Sequence, residues 1–231
     1  MNEKVYERII DNLSENKINV IGIHGPQGIG KTTLKKYLEN KLNKENIDTV
    51  ILSLDDFYLE YQSMKSFLKY ANNSSYKFRG LAGTHDIDLL YTVLNDLLKG
   101  NETYMPIFDK KLENSFGDRS GYAKITIKPK LIILEGWMIG YKPLDNPSNK
   151  VAFFNNQLYN YEPIQKLIDY WIYLDTIDLQ YIYQWRWNAE DENGMDLDTY
   201  DEFMKPYMLI YENYDIKDEN KIIVDFNRNI I

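Results

Sequence analysis

Five short apolar runs alternate along the chain with segments of helical spacing. The runs, several of them rich in β-branched residues, lie at 18–23, 49–54, 130–134, 171–174 and 222–225. Such runs are typical of buried strands. Apolar positions at helical spacing predict helices at 5–13, 31–42, 57–70, 87–98, 177–190 and 198–211. Strands that alternate with helices predict an α/β fold with a parallel sheet.

Two polar stretches interrupt this alternation. Residues 71–84 are predicted to form a loop, and residues 100–129 lack clear periodicity and contain Pro106, Gly117 and Gly121. We interpret the second stretch as a long ordered loop, a feature that is often functional. With 231 residues, the chain is predicted to form a single domain over 1–231.

Composition narrows the functional classes. The formal net charge of -8 argues against a nucleic-acid partner, whose phosphates need clustered cations. No apolar stretch approaches the roughly 20 residues that span a bilayer, and residues 1–16 are too charged for a secretory signal, so no membrane partner and a cytoplasmic location are expected. With no cysteine and two histidines, any metal should have oxygen ligands, which suits Mg²⁺. The oligomeric state stays open, a homodimer included.

One motif points to phosphate chemistry. The sequence GPQGIGKT follows the first apolar run, precedes a predicted helix and matches G-x-x-x-x-G-K-S/T in full. Its glycines let backbone N–H groups surround phosphates, its lysine reaches the β and γ phosphates of ATP, and its threonine hydroxyl binds Mg²⁺. The predicted nucleotide-binding residues are Gly25, Pro26, Gln27, Gly28, Ile29, Gly30, Lys31, Thr32 and Thr33.

Acidic residues stand where two predicted strands end. Asp55 and Asp56 follow the second apolar run, and Glu135 follows the third. Parallel strands end at the edge where ligands bind, so these carboxylates are predicted to face the phosphate loop. Glu135 is interpreted as the second metal-site residue. One of Asp55 and Asp56 is expected to accept a hydroxyl proton and the other to cap the helix predicted from Phe57, with Asp55 as the base.

Several stretches together resemble the D-glycerate 3-kinase-like family, within the uridine kinase, phosphoribulokinase and pantothenate kinase group. They span nearly the whole chain: GPQGIGKTTL (25–34), SLDDFYL (53–59), RGLAGTHD (79–86), MPIFDKKLENSFGDR (105–119), LEGWMIG (134–140) and YQWRWNAE (183–190). The phosphate loop alone is generic, whereas the third and fourth stretches are more specific.

The resemblance implies a doubly wound P-loop NTPase kinase fold with a helical lid, and an ATP- and Mg²⁺-dependent kinase acting on a small-molecule hydroxyl. It implies Asp55 as general base, Lys31 and Thr32 as ATP and Mg²⁺ ligands, Glu135 as the Walker B acid and Arg186 as the lid arginine. By the same resemblance the predicted acceptor-binding residues are Asp56, Tyr58, Arg79, His85, Asp86, Asp109, Lys110 and Arg119.

The identity of the acceptor is less constrained. Only five of the 27 basic residues are arginine, and Arg79 and Arg119 fall in the two acceptor segments. Because a planar guanidinium binds a carboxylate or phosphate with two parallel hydrogen bonds, an anionic acceptor is predicted. The alternatives are a uridine-type nucleoside kinase and an ATP-binding regulatory protein with a vestigial acceptor site.

Overall fold

The computed structural model describes residues 1–15, 18–73, 75–191, 195–216 and 221–231. Its strands are β1 (Val20–His24), β2 (Thr49–Ser53), β3 (Thr103–Asp109), β4 (Asp118–Ile125), β5 (Leu131–Gly136), β6 (Tyr170–Thr176) and β7 (Ile222–Val224). Five of them form a parallel sheet in the order β2-β5-β1-β6-β7, and β3 pairs with β4 as an antiparallel hairpin. The predicted parallel sheet is therefore confirmed.

Most of the helices lie between successive strands of the parallel sheet. The helices are α1 (Asn2–Glu15), α2 (Lys31–Lys44), α3 (Tyr61–Ala71), α4 (Ile87–Lys99), α5 (Leu112–Ser115), α6 (Ala152–Leu158), α7 (Glu162–Gln165), α8 (Leu179–Asp191) and α9 (Leu197–Asn213). On α2 the apolar stripe of Leu34, Leu38 and Leu42 is buried, and it fixes the helix that follows the phosphate loop. None of the helices within these ranges is long and apolar enough to cross a membrane.

The central strands consist almost entirely of buried residues. Every residue of β1 and β5 is buried, whereas the flanking β2 is buried only in its middle. The strand order reverses at β1, with β2 and β5 on one side and β6 and β7 on the other. A ligand crevice is expected at such a reversal, outside the carboxyl ends of the strands.

Three local predictions need correction. The helix expected over 57–70 begins only at Tyr61, because residues Leu54–Phe57 form a 3-10 turn after β2. Neither Asp55 nor Asp56 caps a helix: both lie inside that turn, and α3 has Glu60 at its N-cap position. Glu135 lies within β5 and not after it.

The stretch 100–129 is ordered, as predicted, but much of it is not a loop. It contains the β3–β4 hairpin, in which Thr103 pairs with Ile125 and Asp109 pairs with Asp118. A register shift between Ile107 and Phe108 interrupts the ladder. The hairpin contacts the 3-10 turn after β2, so it places its own turn beside the carboxylates at the sheet edge.

Candidate active site

A tight loop over residues 25–30 joins β1 to α2 at the carboxyl edge of the sheet. Two of its glycines have left-handed backbone angles, with φ of +78° at Gly28 and +106° at Gly30. Gly30 directly precedes α2, and within the described ranges no side chain caps the first turn of that helix. The first N–H groups of α2 are therefore available to an anion, and the positive end of the helix dipole adds to the attraction.

Lys31, the first residue of α2, folds back over this loop. Its Nζ atom donates hydrogen bonds to the carbonyl oxygens of Gly25 at 2.7 Å and Pro26 at 3.0 Å. Burial lowers the pKa of Lys31, and the nearby carboxylates Glu135 and Asp55 oppose that shift. The ammonium group thus lies between the phosphate loop and the carboxylates.

The loop is one wall of an open cleft with a volume of about 1650 Å³. Lys31 and the exposed Thr32 line it, together with Glu135 from the end of β5. Glu135 is 9% exposed and lies beside Ser53 of β2, its partner in the parallel ladder. Burial raises the pKa of Glu135, with Lys31 as the main opposing charge. A buried carboxylate facing an ammonium group and a hydroxyl is an arrangement suited to a cation and phosphates.

Three side chains from distant segments support the phosphate loop from outside. The Gln27 N–H donates to the Tyr211 hydroxyl at 3.1 Å. The Arg228 guanidinium donates to the Gly28 carbonyl through Nε at 3.0 Å and Nη2 at 2.8 Å, and it lies 4.9 Å from the centre of the Trp185 ring. The sequence alone did not predict these contacts, although Arg228 is noticeable as one of only five arginines.

Gly28→Ala is expected to destabilise the fold by about 1–3 kcal/mol, because overpacking and a left-handed backbone act together there. An added Cβ at Gly28 lies 2.5 Å from the Cβ of Trp185. Thermal unfolding measures the effect. The comparison variant is Gly121→Ala, where φ is also positive, at +159°, but the Cβ has nothing within 4 Å. Its melting temperature should therefore fall less than that of Gly28→Ala. Equal shifts in both variants would contradict the packing argument.

Asp55 lies in the 3-10 turn after β2 with both carboxylate oxygens engaged. The Tyr58 hydroxyl donates to Oδ1 at 2.9 Å, and the Lys110 ammonium donates to Oδ2 at 2.7 Å. Burial disfavours the charged form, but the charge and hydrogen bond of Lys110 outweigh it and lower the pKa of Asp55 to about 2. Asp55 is therefore ionised at neutral pH. For its neighbour Asp56, burial is the main influence and raises the pKa.

Two neighbouring rings hold Tyr58 in place. Tyr58 is 5% exposed, stacks on His85 at 4.6 Å between ring centres, and meets Phe108 edge to face at 5.2 Å. The Nδ1 atom of His85 lies 2.8 Å from the Tyr161 hydroxyl. Burial lowers the pKa of His85 to about 4, so the imidazole is neutral at neutral pH. His85 thus supports the ring that orients Asp55.

The predicted acceptor residues divide into two groups. Asp56, Tyr58, Arg79 and Lys110 line the cleft, whereas His85, Asp86, Asp109 and Arg119 do not. The Arg79 guanidinium lies 5.9 Å from the Tyr58 ring centre and 5.6 Å from that of Phe108. One of its nitrogens also donates to the carbonyls of Ser115 and Phe116. Arg79 therefore lies at the cleft beside Tyr58, whose hydroxyl donates to Asp55.

Arg119 bridges three segments of the fold. Its side chain is 10% exposed, and it donates to Asp86 at 2.6 Å and to Glu60 at 3.2 Å. Asp86 in turn caps α4 by accepting from the Leu89 N–H at 3.0 Å. Asp109 accepts from the backbone N–H two residues on, within the turn after β3. In this arrangement protein carboxylates occupy the Arg119 fork.

Helices α8 and α9 pack against each other beside the cleft. Arg186 of α8 lines it, forms an ion pair with Glu190 and lies 5.6 Å from the Phe203 ring centre. Further lining residues, which the sequence reasoning did not single out, come from several elements: Lys35, Ser53, Lys77, Lys111, Trp137 and Tyr207. Lys77 could have been predicted from its position two residues before Arg79.

Comparisons with known proteins agree with this geometry. Residues 20–217 match the model of the phosphoribulokinase / uridine kinase family. The chain is 35% identical to a Schizosaccharomyces pombe protein described as "uncharacterized kinase mug58", covering 87% of this chain and 82% of that protein. It is 32% identical to a chloroplastic D-glycerate 3-kinase of Arabidopsis thaliana, covering 84% of this chain and only 47% of that protein.

A solved structure extends the likeness to the whole fold. The D-glycerate 3-kinase of Cryptococcus neoformans superposes with a TM-score of 0.84 at 25% identity, covering 100% of this chain and 96% of that chain. The predicted P-loop kinase fold is confirmed.

Proposed function

Because the chain belongs to the phosphoribulokinase / uridine kinase family and is an ATP-dependent kinase of small molecules, we propose that it phosphorylates a hydroxyl beside an anionic group, as in glycerate. One observation carries this proposal. A carboxylate placed for proton transfer, Asp55, lies in the same cleft as the phosphate loop and two cations that suit an anion, Arg79 and Lys110.

The nucleotide end of the cleft fits Mg-ATP. Lys31 and the N–H groups of the loop bind the β and γ phosphates, and Arg186 closes on them from α8. Thr32 and Glu135 would hold Mg²⁺. Mg²⁺ commonly binds proteins through one or two oxygen ligands together with substrate phosphates, so a hydroxyl and a carboxylate beside the phosphate loop fit the ion. When bound, Mg²⁺ supplies positive charge to the transferring phosphoryl group.

Proton transfer falls to Asp55. The residue is ionised at neutral pH, so it accepts the proton of the acceptor hydroxyl as that oxygen bonds to the γ-phosphorus. The bond from that phosphorus to the β,γ-bridging oxygen breaks, and ADP leaves. The Tyr58 hydrogen bond fixes the carboxylate, and burial raises the pKa of Tyr58 so that its hydroxyl remains a donor.

Recognition of the acceptor falls to the other end of the cleft. Arg79, Lys110 and Lys77 supply positive charge there, and Arg79 supplies the planar fork suited to a carboxylate or phosphate. Arg119 enters this proposal as a residue that braces the hairpin, since its guanidinium pairs with Asp86 and Glu60.

The test is ADP formation with Mg-ATP and a panel of acceptors: glycerate, other sugar acids, nucleosides and pantothenate. The proposal predicts turnover with one or more hydroxy acids and little turnover with nucleosides. If a neutral nucleoside is the best acceptor, the proposal is contradicted and a uridine-type nucleoside kinase is favoured. The absence of turnover with every compound favours an ATP-binding protein without an acceptor site.

Arg79→Lys is expected to weaken binding of the acceptor by about 1.5–3 kcal/mol, the scale of hydrogen bonds to charged groups, and to leave the KM for ATP nearly unchanged. Lysine keeps the charge but loses the fork. The KM values for acceptor and ATP are measured separately.

Arg119→Lys is the comparison variant for that experiment. Because Arg119 is bonded to Glu60 and Asp86, its replacement should lower the melting temperature more than it changes the acceptor KM. A large change in acceptor KM for Arg119→Lys, with none for Arg79→Lys, reverses the assignment of the two arginines.

A further inference from the structure

Each oxygen of the proposed base already accepts a hydrogen bond from a protein donor. Tyr58 donates to Oδ1 of Asp55, and Lys110 donates to Oδ2. An acceptor hydroxyl that transfers its proton to Asp55 must itself donate to one of these oxygens. Each oxygen keeps a free lone pair for that hydroxyl, but the 2.7 Å ion pair with Lys110 stabilises the charged carboxylate and opposes its protonation. Proton transfer to Asp55 is therefore favoured when one of the two protein donors moves away.

The two donors differ in freedom. Tyr58 is 5% exposed and is held by the rings of His85 and Phe108. Lys110 lies in the turn between β3 and α5, and its long side chain is 57% exposed. Among the described residues, Asp55 is its one ion-pair partner. A partly exposed ion pair of this kind is weak and exchanges readily. Lys110 is thus the donor that gives way.

An anionic group in the cleft is a competing partner for Lys110. Arg79, the other cation proposed to bind that group, also lines the cleft and lies over the Tyr58 ring. A carboxylate bound by Arg79 therefore sits near the residue that orients Asp55, within the part of the cleft that Lys110 lines. Binding of the acceptor both supplies the hydroxyl and draws the ammonium away from Oδ2.

We propose that Lys110 occupies Asp55 until an anionic acceptor arrives, and thereby suppresses hydrolysis of ATP by water. The inference rests on the proposed function in taking Asp55 as the base and ATP as the donor. In the suppressed side reaction, a water oxygen bonds to the γ-phosphorus while the bond from that phosphorus to the β,γ-bridging oxygen breaks. The water proton goes to Oδ2 of Asp55, and the products are ADP and inorganic phosphate.

The experiment measures ADP formation from Mg-ATP without any acceptor. Lys110→Met removes the ammonium and keeps an unbranched side chain, and it should raise acceptor-free hydrolysis about fivefold, the factor by which an ion pair of ordinary strength keeps Lys110 on Asp55. A loss of folding or of ordinary cleft charge does not produce a gain of this kind. Hydrolysis by Lys110→Met at or below the wild-type rate would overturn the inference.

Two further variants make the result specific. Lys124→Met removes another partly exposed lysine of the hairpin, whose ion pair with Glu102 lies outside the cleft, and it should leave hydrolysis at the wild-type rate. The double variant Asp55→Asn with Lys110→Met should lose the gain, because the base is absent. An equal gain in Lys124→Met, or a gain that survives in the double variant, contradicts the mechanism.

The outcome is separable from that of the proposed function. If the wild type phosphorylates no compound of the acceptor panel, the proposed acceptor is wrong, yet the acceptor-free comparison still gives a result. If the panel identifies a hydroxy acid but Lys110→Met shows no gain, the proposed function stands and the inference about Lys110 fails.

Discussion

Lys31→Ala is expected to lower phosphoryl transfer by about 10³-fold or more while the protein remains folded. The ammonium group lies at the phosphate loop, where charge develops on the transferring phosphoryl group, and removal of such a preorganised donor costs about 10²–10³ in rate on its own. The ammonium group of Lys31 donates to two loop carbonyls, so the substitution removes no hydrogen bond within the apolar core. Turnover and circular dichroism measure the two effects.

Lys36→Ala is the matched control for this variant. Lys36 lies on the same helix and is exposed, so its removal changes the net charge equally without touching the cleft. Its turnover should match that of the wild type. Activity of Lys31→Ala within a few fold of the wild type excludes the loop lysine from the mechanism.

Asp55→Asn is expected to lower kcat by about 10² or more and to leave the affinity for Mg-ATP nearly unchanged. The amide keeps the shape of the side chain and cannot accept the proton, and positioned general bases contribute factors of about 10²–10⁴. Single-turnover kinetics and nucleotide titration separate the chemical step from binding.

The neighbouring Asp56 supplies the decisive comparison. Asp56 also lines the cleft, but the hydrogen bonds from Tyr58 and Lys110 go to Asp55. Asp56→Asn should therefore retain much more turnover than Asp55→Asn. If the loss of kcat follows Asp56 instead, the roles of the two carboxylates are exchanged.

The central sheet was predictable from the sequence because parallel strands covered by helices are apolar on both faces. Apolar runs such as residues 131–134 are therefore easy to recognise. The phosphate loop between β1 and α2 follows from glycine geometry and helix dipoles. The same reasoning predicted Glu135, Asp55 and Asp56 at one edge of the sheet, and in the structure all three line one cleft.

The β3–β4 hairpin was missed for physical reasons. A register shift between Ile107 and Phe108 breaks the alternation of β3. In β4 the exposed positions include Tyr122, which is 50% exposed, while Gly121 and Ala123 are half-buried. A strand with small half-buried residues and an exposed aromatic residue has little hydrophobic contrast, and its partner is set by contacts that the local sequence does not encode.

The contacts within the site were also beyond the sequence. Two ion pairs depend on how the hairpin packs over the sheet edge: Arg119 with Asp86, and Lys110 with Asp55, 55 residues away in the chain. Both arginines were predicted to bind the acceptor because of their positions in the sequence. In the structure Arg79 lines the cleft, whereas Arg119 forms ion pairs with two carboxylates outside it.

Phosphorus NMR of the wild-type reaction shows where the γ-phosphate of ATP goes. Mg-ATP is incubated with each hydroxy acid and nucleoside of the panel, and the fate of the γ-phosphate is followed. We expect a new phosphomonoester resonance on a hydroxy acid in equal amount to ADP, with little inorganic phosphate. ADP accompanied only by inorganic phosphate, or a phosphomonoester formed on a nucleoside alone, would contradict the proposed function.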